Sequence, residues 1–518
     1  MKVCLIRTPS VISASEVRPG CSPPLGLAYL AGSLLRAGHQ VSVVDAIGEA
    51  LQDYSRIEGV AGVLALGLPI PEIVSRIPAD TDLLAVTCMF STEWPMAKRV
   101  IQACREFFRE APIIAGGEHI TACPEFVMED CPALTFCGLG EGETLITELA
   151  DTLEAGRDLK DVAGLVFREA GKIHRNTKPT RIRDVDQIPL PAWHLFPINH
   201  YIESGAMPGV DIGRSMPLLA SRGCPYECTF CSNPAMWGRL WKPRTPQNVL
   251  DEMKHWVETY RVTNFDFYDL TAIVRKDWIL DMSRLIITSG LKITWQLPSG
   301  TRSEALDREV VDLLFASGCR NVIYAPESGS EYTLKRIKKK IDKKAMAVSV
   351  NGAVKAGIKT KANFIVGFPG EKIGHVFESY GYAIRLAVAG LHEVSFFPFS
   401  PYPGSALFDE LMAKGKIRLS DTYFFNLVTN PRCFSEYIPS WLAPILASFG
   451  MSLFFFFSFA LHPWRLIDLA RAMMTRRPKT RLESALLRLM DRAKTNRSNL
   501  PYYEQPRPLP SKEAVSAS

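Results

Sequence analysis

From Met216 onward the sequence alternates short apolar runs with helical patterns six times over, and that alternation is its tightest constraint on fold. The runs are "MPLLAS", "NFDFYD", "ITWQLPS", "NVIYAPE", "TKANFIVG" and "EVSFFPFS". Between them stand segments such as "PQNVLDEMKHWVETY" and "DKKAMAVSVNGAVKAG", whose apolar residues recur at helical spacing. Strands alternating with helices lie parallel, so the pattern predicts a partial (β/α)6 barrel over residues 216–410. Chemistry in such barrels gathers where the strands end at the carboxyl side. The polar residues fall there: a cysteine triad, Asp269, Ser299, Glu327, Gly367 to Gly370 and Ser400 to Tyr402.

Residues 1–155 alternate in the same way, with strands at "KVCLIR", "QVSVVDA", "DLLAVTC", "PIIAGGEH" and "ALTFCGLGEGE". Helices at "PLGLAYLAGSLLRAG" and "PMAKRVIQACREFF" complete a doubly wound, Rossmann-like parallel sheet that binds ligands at its strand ends. Residues 156–215 hold a small hairpin, "GLVFREAGKIHRNTKP", and a Pro-rich aperiodic stretch, and read as a linker packed between two domains. The fold class is therefore α/β, with a mostly helical region over 411–500 and a polar tail, 501–518, expected to be disordered. A length of 518 residues accommodates two or three domains. Sixty basic against 54 acidic residues give a net charge of +6, too small and scattered for a nucleic-acid footprint.

Twelve cysteines raise the question of disulfides. The start "MKVCLIRTPS" has no signal-peptide pattern, so a reducing cytoplasm is expected, where clustered cysteines are metal ligands or redox groups. Cys4, Cys21, Cys88, Cys104, Cys123, Cys131, Cys137, Cys319 and Cys433 are scattered and read as small buried hydrophobes. Cys224, Cys228 and Cys231 instead cluster as C-x3-C-x2-C in "SRGCPYECTFCSNP". A structural zinc site wants four ligands, and the nearest later histidine, His255, lies away on a predicted helix. A disulfide suits the compartment poorly. An iron–sulfur cluster held through three irons leaves the fourth iron open to a substrate or cofactor.

That spacing, with Phe230 before the last cysteine and the loop following the first barrel strand, resembles the radical S-adenosylmethionine (SAM) superfamily. The resemblance implies that the open iron of a 4Fe–4S cluster chelates SAM. One electron, from a donor such as flavodoxin or ferredoxin, then releases a 5′-deoxyadenosyl radical. It further implies cofactor-binding roles for Phe230, for Glu327, Ser328 and Gly329 in "APESGS", for Gly367 and Pro369 in "VGFPGE", and for Arg302. On the residues alone, Glu327 serves as well as a helix cap, and Gly-Phe-Pro-Gly as a turn.

In the front domain, Gly116, Gly117, Glu118 and His119 stand at one predicted strand end, and Gly138, Gly140, Glu141 and Gly142 at the next. Glycines there let a ligand tail approach backbone N–H groups, or simply make tight turns. Together with "PPLGLAYLAGSLLRAGHQVSVVDA", residues 1–410 resemble the cobalamin-binding branch of the superfamily, which includes hopanoid methylases and the anaerobic Mg-protoporphyrin cyclase. One departure concerns the D-x-H-x-x-G signature, which is absent: after Asp45 the chain reads "DAIGEA". The resemblance then implies cobalamin without a cobalt-binding histidine from this loop, and leaves His119 to contact the cofactor's tail. It implies methyl transfer in which one SAM methylates cobalamin and a second supplies the radical that opens a carbon to the methyl group. No side chain is assigned to the reacting carbon.

From Tyr437 to Trp464 there is no Asp, Glu, Lys or Arg, and a basic stretch follows with Arg465, Arg471, Arg476, Arg477, Lys479 and Arg481. Trp441 to Leu461 is long enough to cross a bilayer at about 1.5 Å per residue. A simple span would carry the arginines outside, against the positive-inside tendency, and Pro444, Gly450 and Pro463 interrupt it. Two readings remain. One is an interfacial segment that makes a cytoplasmic protein peripheral or monotopic at the inner face of a membrane. The other is a buried helix covering the barrel mouth. The first goes with a small hydrophobic, lipid- or isoprenoid-like substrate. The alternatives are a radical oxidoreductase or cyclase of the tetrapyrrole type, and a non-catalytic cobalamin sensor, which leaves the open cluster unexplained.

Overall fold

The computed structural model describes residues 1–14, 21–177, 181–205, 207, 209–301, 306–429, 432–492 and 502–503. Its front sheet contains β1 (Lys2–Arg7), β2 (Gln40–Asp45), β3 (Leu83–Thr87), β4 (Ile113–Gly116) and β5 (Phe136–Gly138), parallel and in the order 2-1-3-4-5. A hairpin, β6 (Leu165–Glu169) and β7 (Lys172–Arg175), adds to the free edge of β5 in antiparallel fashion. The front sheet thus runs past residue 155 and takes in the first part of the expected linker. Ala170 and Gly171 both have positive φ, 48° and 79°, as a two-residue hairpin turn requires. Helices α1 (Leu25–Arg36), α2 (Trp94–Phe107), α3 (Glu118–Ala122) and α4 (Gly142–Glu154) follow strands of this sheet. A small antiparallel sheet of Ser10–Ser13, Val63–Leu66 and Tyr54–Ile57 was not legible in the sequence, its strands being only four residues long. Tyr502–Tyr503, within the tail expected to be disordered, pairs with Arg56 and Ile57.

The second sheet holds β8 (Ser215–Leu218), β9 (Asn264–Phe267), β10 (Thr294–Thr301), β11 (Cys319–Glu327), β12 (Lys359–Val366) and β13 (Glu393–Pro398). All are parallel, and neighbours in the sheet are neighbours in sequence. Among the described residues no pairing joins β13 back to β8, so the barrel is partial. Every residue of β8 and β9 is buried, as in a parallel sheet covered on both faces. The connecting helices are α5 (Asn233–Trp237), α6 (Pro246–Tyr260), α7 (Lys276–Ser289), α8 (Arg308–Ala316), α9 (Lys343–Ala356) and α10 (Ile373–Val388). Thr245, Asp307 and Asp342 cap α6, α8 and α9 by accepting backbone N–H bonds. Gly290 and Gly357 close α7 and α9 in the left-handed conformation. Linker residues Trp193, Phe196, Ile198, Tyr201 and Ile202 belong to one hydrophobic core that includes both the front sheet and the barrel.

After the barrel the chain returns to the front domain. In α11 (Asp421–Thr429), Phe424 and Phe425 enter that domain's second core, and Asp421 accepts from Lys98 Nζ at 2.7 Å. The uncharged segment forms α12 (Leu442–Leu461), which packs beside α10 against β13. That is the place of a sixth barrel helix, on the wall of the barrel, so the reading of a helix covering the mouth does not hold. Ala443, Leu446, Ala447, Gly450, Phe454 and Ser458 form its buried stripe. A Cβ on Gly450 would stand 2.5 Å from Tyr380 Cε1, and the Tyr380 hydroxyl donates to Leu446 O. Helices α13 (Trp464–Thr475) and α14 (Arg481–Arg492) then pass the amino ends of the strands, where Arg481 N–H donates to Glu393 at 3.1 Å. Gly450→Leu should therefore overpack this seam and cost about 1–3 kcal/mol, read as a lower urea midpoint together with new protease cleavage within α12.

Candidate active site

The cysteine loop leaves β8 under tight control. Ala220 N–H donates to Asp269 Oδ2 at 3.0 Å, and the Ser221 hydroxyl donates to the other oxygen. Burial raises that carboxyl to about 6. Gly223 turns at φ +83°, where a Cβ would lie 2.1 Å from Leu240 O. Thr229 ties the loop to the barrel: its N–H donates to Ile337 O at 3.0 Å, and its carbonyl accepts from Leu407 N–H at 2.8 Å. The Phe230 ring sits 5.7 Å from Phe368, and Phe368 sits 4.9 Å from Phe399, so the loop rests on the exits of β12 and β13.

No disulfide joins Cys224, Cys228 and Cys231, and all three are half-buried. Burial, with the nearby charges of Cys228, Glu118 and Cys224, pushes the Cys231 thiol up to about 12. A bare Cys231 thiolate is thus disfavoured, and a bound metal is what would stabilise it. Among the described residues one set of three ligand atoms lies within 4.8 Å of one another: His39, Asp151 and Glu154, already engaged in ion pairs. A single tetrahedral zinc would draw the three sulfurs to about 3.8 Å of one another. The donor set fits a cluster that spreads three thiolates over three irons.

Both ends of the loop are held by the front domain. Arg222, just before the triad, places Nη1 3.3 Å from Glu141 Oε1, and its Nη2 binds Glu143. Its guanidinium lies over Tyr29 at 5.3 Å and Trp237 at 5.7 Å. The other oxygen of Glu141 accepts from Arg181 Nε and Ile182 N–H, both at 2.8 Å. Ser232, just after the triad, donates its hydroxyl to Glu118 on α3. Gly404 seats the barrel between Ala122 and Ala235, where a Cβ would come within 2.9 and 3.1 Å of their methyl groups. The turns after β4 and β5 therefore grip the turn after β8, and the carboxyl ends of the two sheets face each other. Glu141 and Glu118, expected as cofactor contacts, have side chains engaged across this domain junction.

At the front sheet the strand order reverses between β1 and β3, the usual crevice for a ligand. The loop after β3 presents Met89 and Phe90 there, 37% and 64% exposed, an apolar surface suited to a flat macrocycle. The loop after Asp45 is closed by the chain itself. Asp45 accepts from Gly48 N–H at 3.0 Å and from the Tyr201 hydroxyl at 2.8 Å. Gly117 turns at φ +119°, where a Cβ would meet Cys88 O at 2.5 Å. Gly142 packs against Leu30 and Gly138 against Leu145 and Ile114, while Gly140 N–H donates to Thr121 Oγ1 at 3.0 Å. Gly116 ends β4 beside Gly138. His119 corrects the expectation: it is 1% exposed, packed between Trp94 and Phe424, with Nδ1 3.0 Å from Ser91 Oγ. Burial pushes its pKa down to about 3, and the neutral ring belongs to the core rather than to a cofactor's tail.

At the barrel mouth, Glu327 takes φ +64°, a strained value for a residue with a side chain, costing on the order of 1–3 kcal/mol. It accepts from Lys339 Nζ at 3.0 Å in a nearly buried pair. Ser328 Oγ and Gly329 N–H instead meet Ser379 Oγ, at 3.0 and 2.9 Å, and so fasten the exit of β11 to α10. Gly367 turns at φ +95°, with its N–H donating to Glu371 Oε2 at 2.6 Å. Pro369 lies buried in the same turn, and Gly370 N–H donates to Glu436 at 2.9 Å. Arg302 lies outside the described residues. The sequence reading missed Arg222, Met89, Phe90 and Glu371. Arg222 and Glu371 adjoin recognised motifs, which is a usable signal, but their partners come from distant parts of the chain.

Comparison with known proteins agrees with this geometry. Residues 218–383 match the radical SAM superfamily, and residues 14–150 match the B12 binding domain. An uncharacterised methyltransferase of Pyrococcus horikoshii is 30% identical, covering 80% of this chain and 83% of the relative. Cytidylyl-2-hydroxyethylphosphonate methyltransferase of Streptomyces wedmorensis is 28% identical, covering 79% and 82%. The anaerobic magnesium-protoporphyrin IX monomethyl ester cyclase of Cereibacter sphaeroides is 26% identical, covering 81% and 65%. The fold matches that of the radical SAM methyltransferase TsrM from Kitasatospora setae, solved with cobalamin and a 4Fe–4S cluster, at a TM-score of 0.61 and 17% identity over 80% of this chain and 75% of that one. The chain belongs to the radical SAM superfamily, in its cobalamin-binding branch. It is an enzyme of the cobalamin-dependent methyltransferase type, whose cofactors are a 4Fe–4S cluster, SAM and cobalamin, and the sensor reading is set aside.

Two outcomes follow from the buried charges. Arg222→Ala leaves Glu141 short of one partner and Glu143 without its arginine, and should cost about 3–5 kcal/mol in guanidinium unfolding. Arg222→Lys should recover only part, because an ammonium cannot bridge two carboxylates as a planar fork does. Burial raises the Glu371 carboxyl to about 7. An acid whose folded pKa exceeds its unfolded value holds extra protons when folded, so stability falls as pH rises from about 4.5 through about 7. Glu371→Gln should flatten that part of the stability–pH curve, measured side by side with the parent.

Proposed function

We propose that this chain methylates an unactivated carbon of a small hydrophobic substrate, lipid- or isoprenoid-like, held between the facing ends of its two sheets. The observation that carries the reading is the grip of Glu141, Glu143 and Glu118 on the two ends of the cysteine loop, which turns the cluster loop toward the front crevice. Cys224, Cys228 and Cys231 would hold the cluster, leaving one iron for SAM. When bound, these groups supply a 5′-deoxyadenosyl radical, and cobalamin supplies a methyl group.

The chain's own part is to orient and to exclude water. Phe230 is half-buried at the loop side of the mouth and is backed by the buried Phe368 and Phe399, so its remaining surface is apolar and held in place, which favours a hydrophobic partner. Glu327, held by Lys339 in a strained conformation, and the Gly367–Pro369 turn, pinned by Glu371, offer fixed polar groups for SAM. Met89 and Phe90 offer an apolar seat for the corrin face. An electron donor such as flavodoxin or ferredoxin would deliver the reducing electron. The relative named as a cyclase supports the second reading, a radical oxidoreductase acting on a tetrapyrrole.

The test uses anaerobically reconstituted protein with SAM labelled in its methyl group. Replacing Cys224, Cys228 and Cys231 by Ala should remove the cluster absorbance and all labelled product while cobalamin stays bound. Retention of the cluster by that variant would overturn the ligand assignment. Lipid extracts from a deletion strain should lack a species heavier by one CH2 in the parent. An unchanged lipid profile with altered tetrapyrroles would favour the cyclase reading.

A further inference from the structure

Helix α12 is apolar on both sides, and the barrel uses only one of them. Opposite the buried stripe run Trp441, Ile445, Phe449, Ser452 and Phe456, at the three- and four-residue steps that keep side chains on one helix face. All are exposed, Trp441 by 69% and Phe456 by 67%. No charged residue interrupts them, whereas water-facing helices normally carry charge. Large apolar surface left in water marks a partner. Helix α13 carries a comparable line, in which Trp464, Ile467 and Met474 are exposed and Arg471 falls at the same spacing. Beside the carboxyl-terminal half of that helix lies an open cavity of about 510 Å³ lined by Asp468, Arg471, Ala472, Thr475, Arg477 and Lys479, three cations against one carboxylate.

We propose that α12 and α13 form a docking face that lies flat on an anionic lipid surface. Three observations select lipid over protein. The face is long and uncharged, so it offers a protein partner almost no hydrogen bonds, which bilayer hydrocarbon does not require. Trp441 and Trp464 bracket α12, the positions at which amphipathic indoles settle at headgroup depth. Arg471 lies within the apolar line, and the cation-lined cavity adjoins it, as a surface of acidic headgroups would demand. The helix cannot cross the bilayer in this arrangement, because its other face is fixed to Tyr380 and Phe396 of the barrel.

The placement has a consequence for access. The amino end of α12 lies at the mouth, where Ala443 and Cys433 approach Gly367. Its carboxyl end reaches the amino ends of the strands, where Arg465 donates to Leu391 O at 2.7 Å. Docked by this face, the barrel lies on its side, and the part of the mouth's rim beside Ala443 lies next to the lipid surface. The docking inference does not depend on which reaction the mouth performs.

Flotation of the purified full-length protein with vesicles tests it. Vesicles of phosphatidylcholine with one third phosphatidylglycerol should carry the protein upward, and pure phosphatidylcholine should carry much less. Phe449→Glu with Phe456→Glu should lower the bound fraction by about tenfold or more, and Arg471→Glu with Arg477→Glu should lower it severalfold, as should high salt. Phe456, Arg471 and Arg477 face solvent, while the half-exposed Phe449 also touches Tyr380. Unchanged melting temperature and cluster content therefore certify folding, and Phe456→Glu alone, which leaves that contact intact, should lower binding in the same direction. Protein that stays at the bottom of the gradient with acidic vesicles would overturn the proposal. So would a dimer in the parent that Phe449→Glu with Phe456→Glu converts to monomer, since the face would then belong to a second copy.

Discussion

The junction between the two halves of this molecule is organised around one buried guanidinium. Arg222 bridges Glu141 and Glu143 while its guanidinium lies against Tyr29 and Trp237, and the arginine, both carboxylates and the tyrosine are withdrawn from water. A buried charge is tolerable only when its partners are fixed, so the pair sets a distance and an angle between the front sheet and the cysteine loop. Ser232 and Glu118 repeat the device nine residues from the triad's first cysteine's upstream glycine, at the loop's other end. Packing alone would let two apolar surfaces slide, but charged hydrogen bonds do not permit that.

Much else in the structure serves the same juxtaposition. The linker lends Trp193, Phe196 and Tyr201 to a core shared by both domains. Helix α11 returns from the barrel to bury Phe424 and Phe425 in the front domain and to set Phe424 edge-on against His119. The front-domain Gly117, which looks in sequence like part of a ligand cradle, lets backbone approach backbone at Cys88, and after the barrel Gly404 fits between the methyl groups of Ala122 and Ala235. The fold thus uses its smallest residues to bring the carboxyl ends of two sheets together, and leaves the exposed Met89 and Phe90 in the crevice.

The barrel strands and most front-sheet strands were legible, because alternating apolar runs and helical periods are local signals. The cysteine spacing was legible for the same reason, as three ligands from one loop need no long-range information. Glu371, Arg222 and the true environment of His119 were not. Each depends on partners far away in the chain: Thr333 for Glu371, Glu141 and Glu143 for Arg222, and Phe424 for His119. Helix α12 lies between these cases, since its apolarity was plain in the sequence but the division of its faces was not.

By itself, then, the sequence determined the two parallel sheets, their order along the chain, and a triad of thiols one ligand short of a closed metal site. Those features follow from periodicity and spacing, which act over a few residues. Tertiary structure decided which polar residues remain available for chemistry. It buried His119 as a neutral core ring, committed Glu141 to arginines, strained Glu327 against Lys339, and turned one face of α12 outward. Burial and charge pairing arise between segments far apart in sequence, and only the folded chain brings those segments within reach.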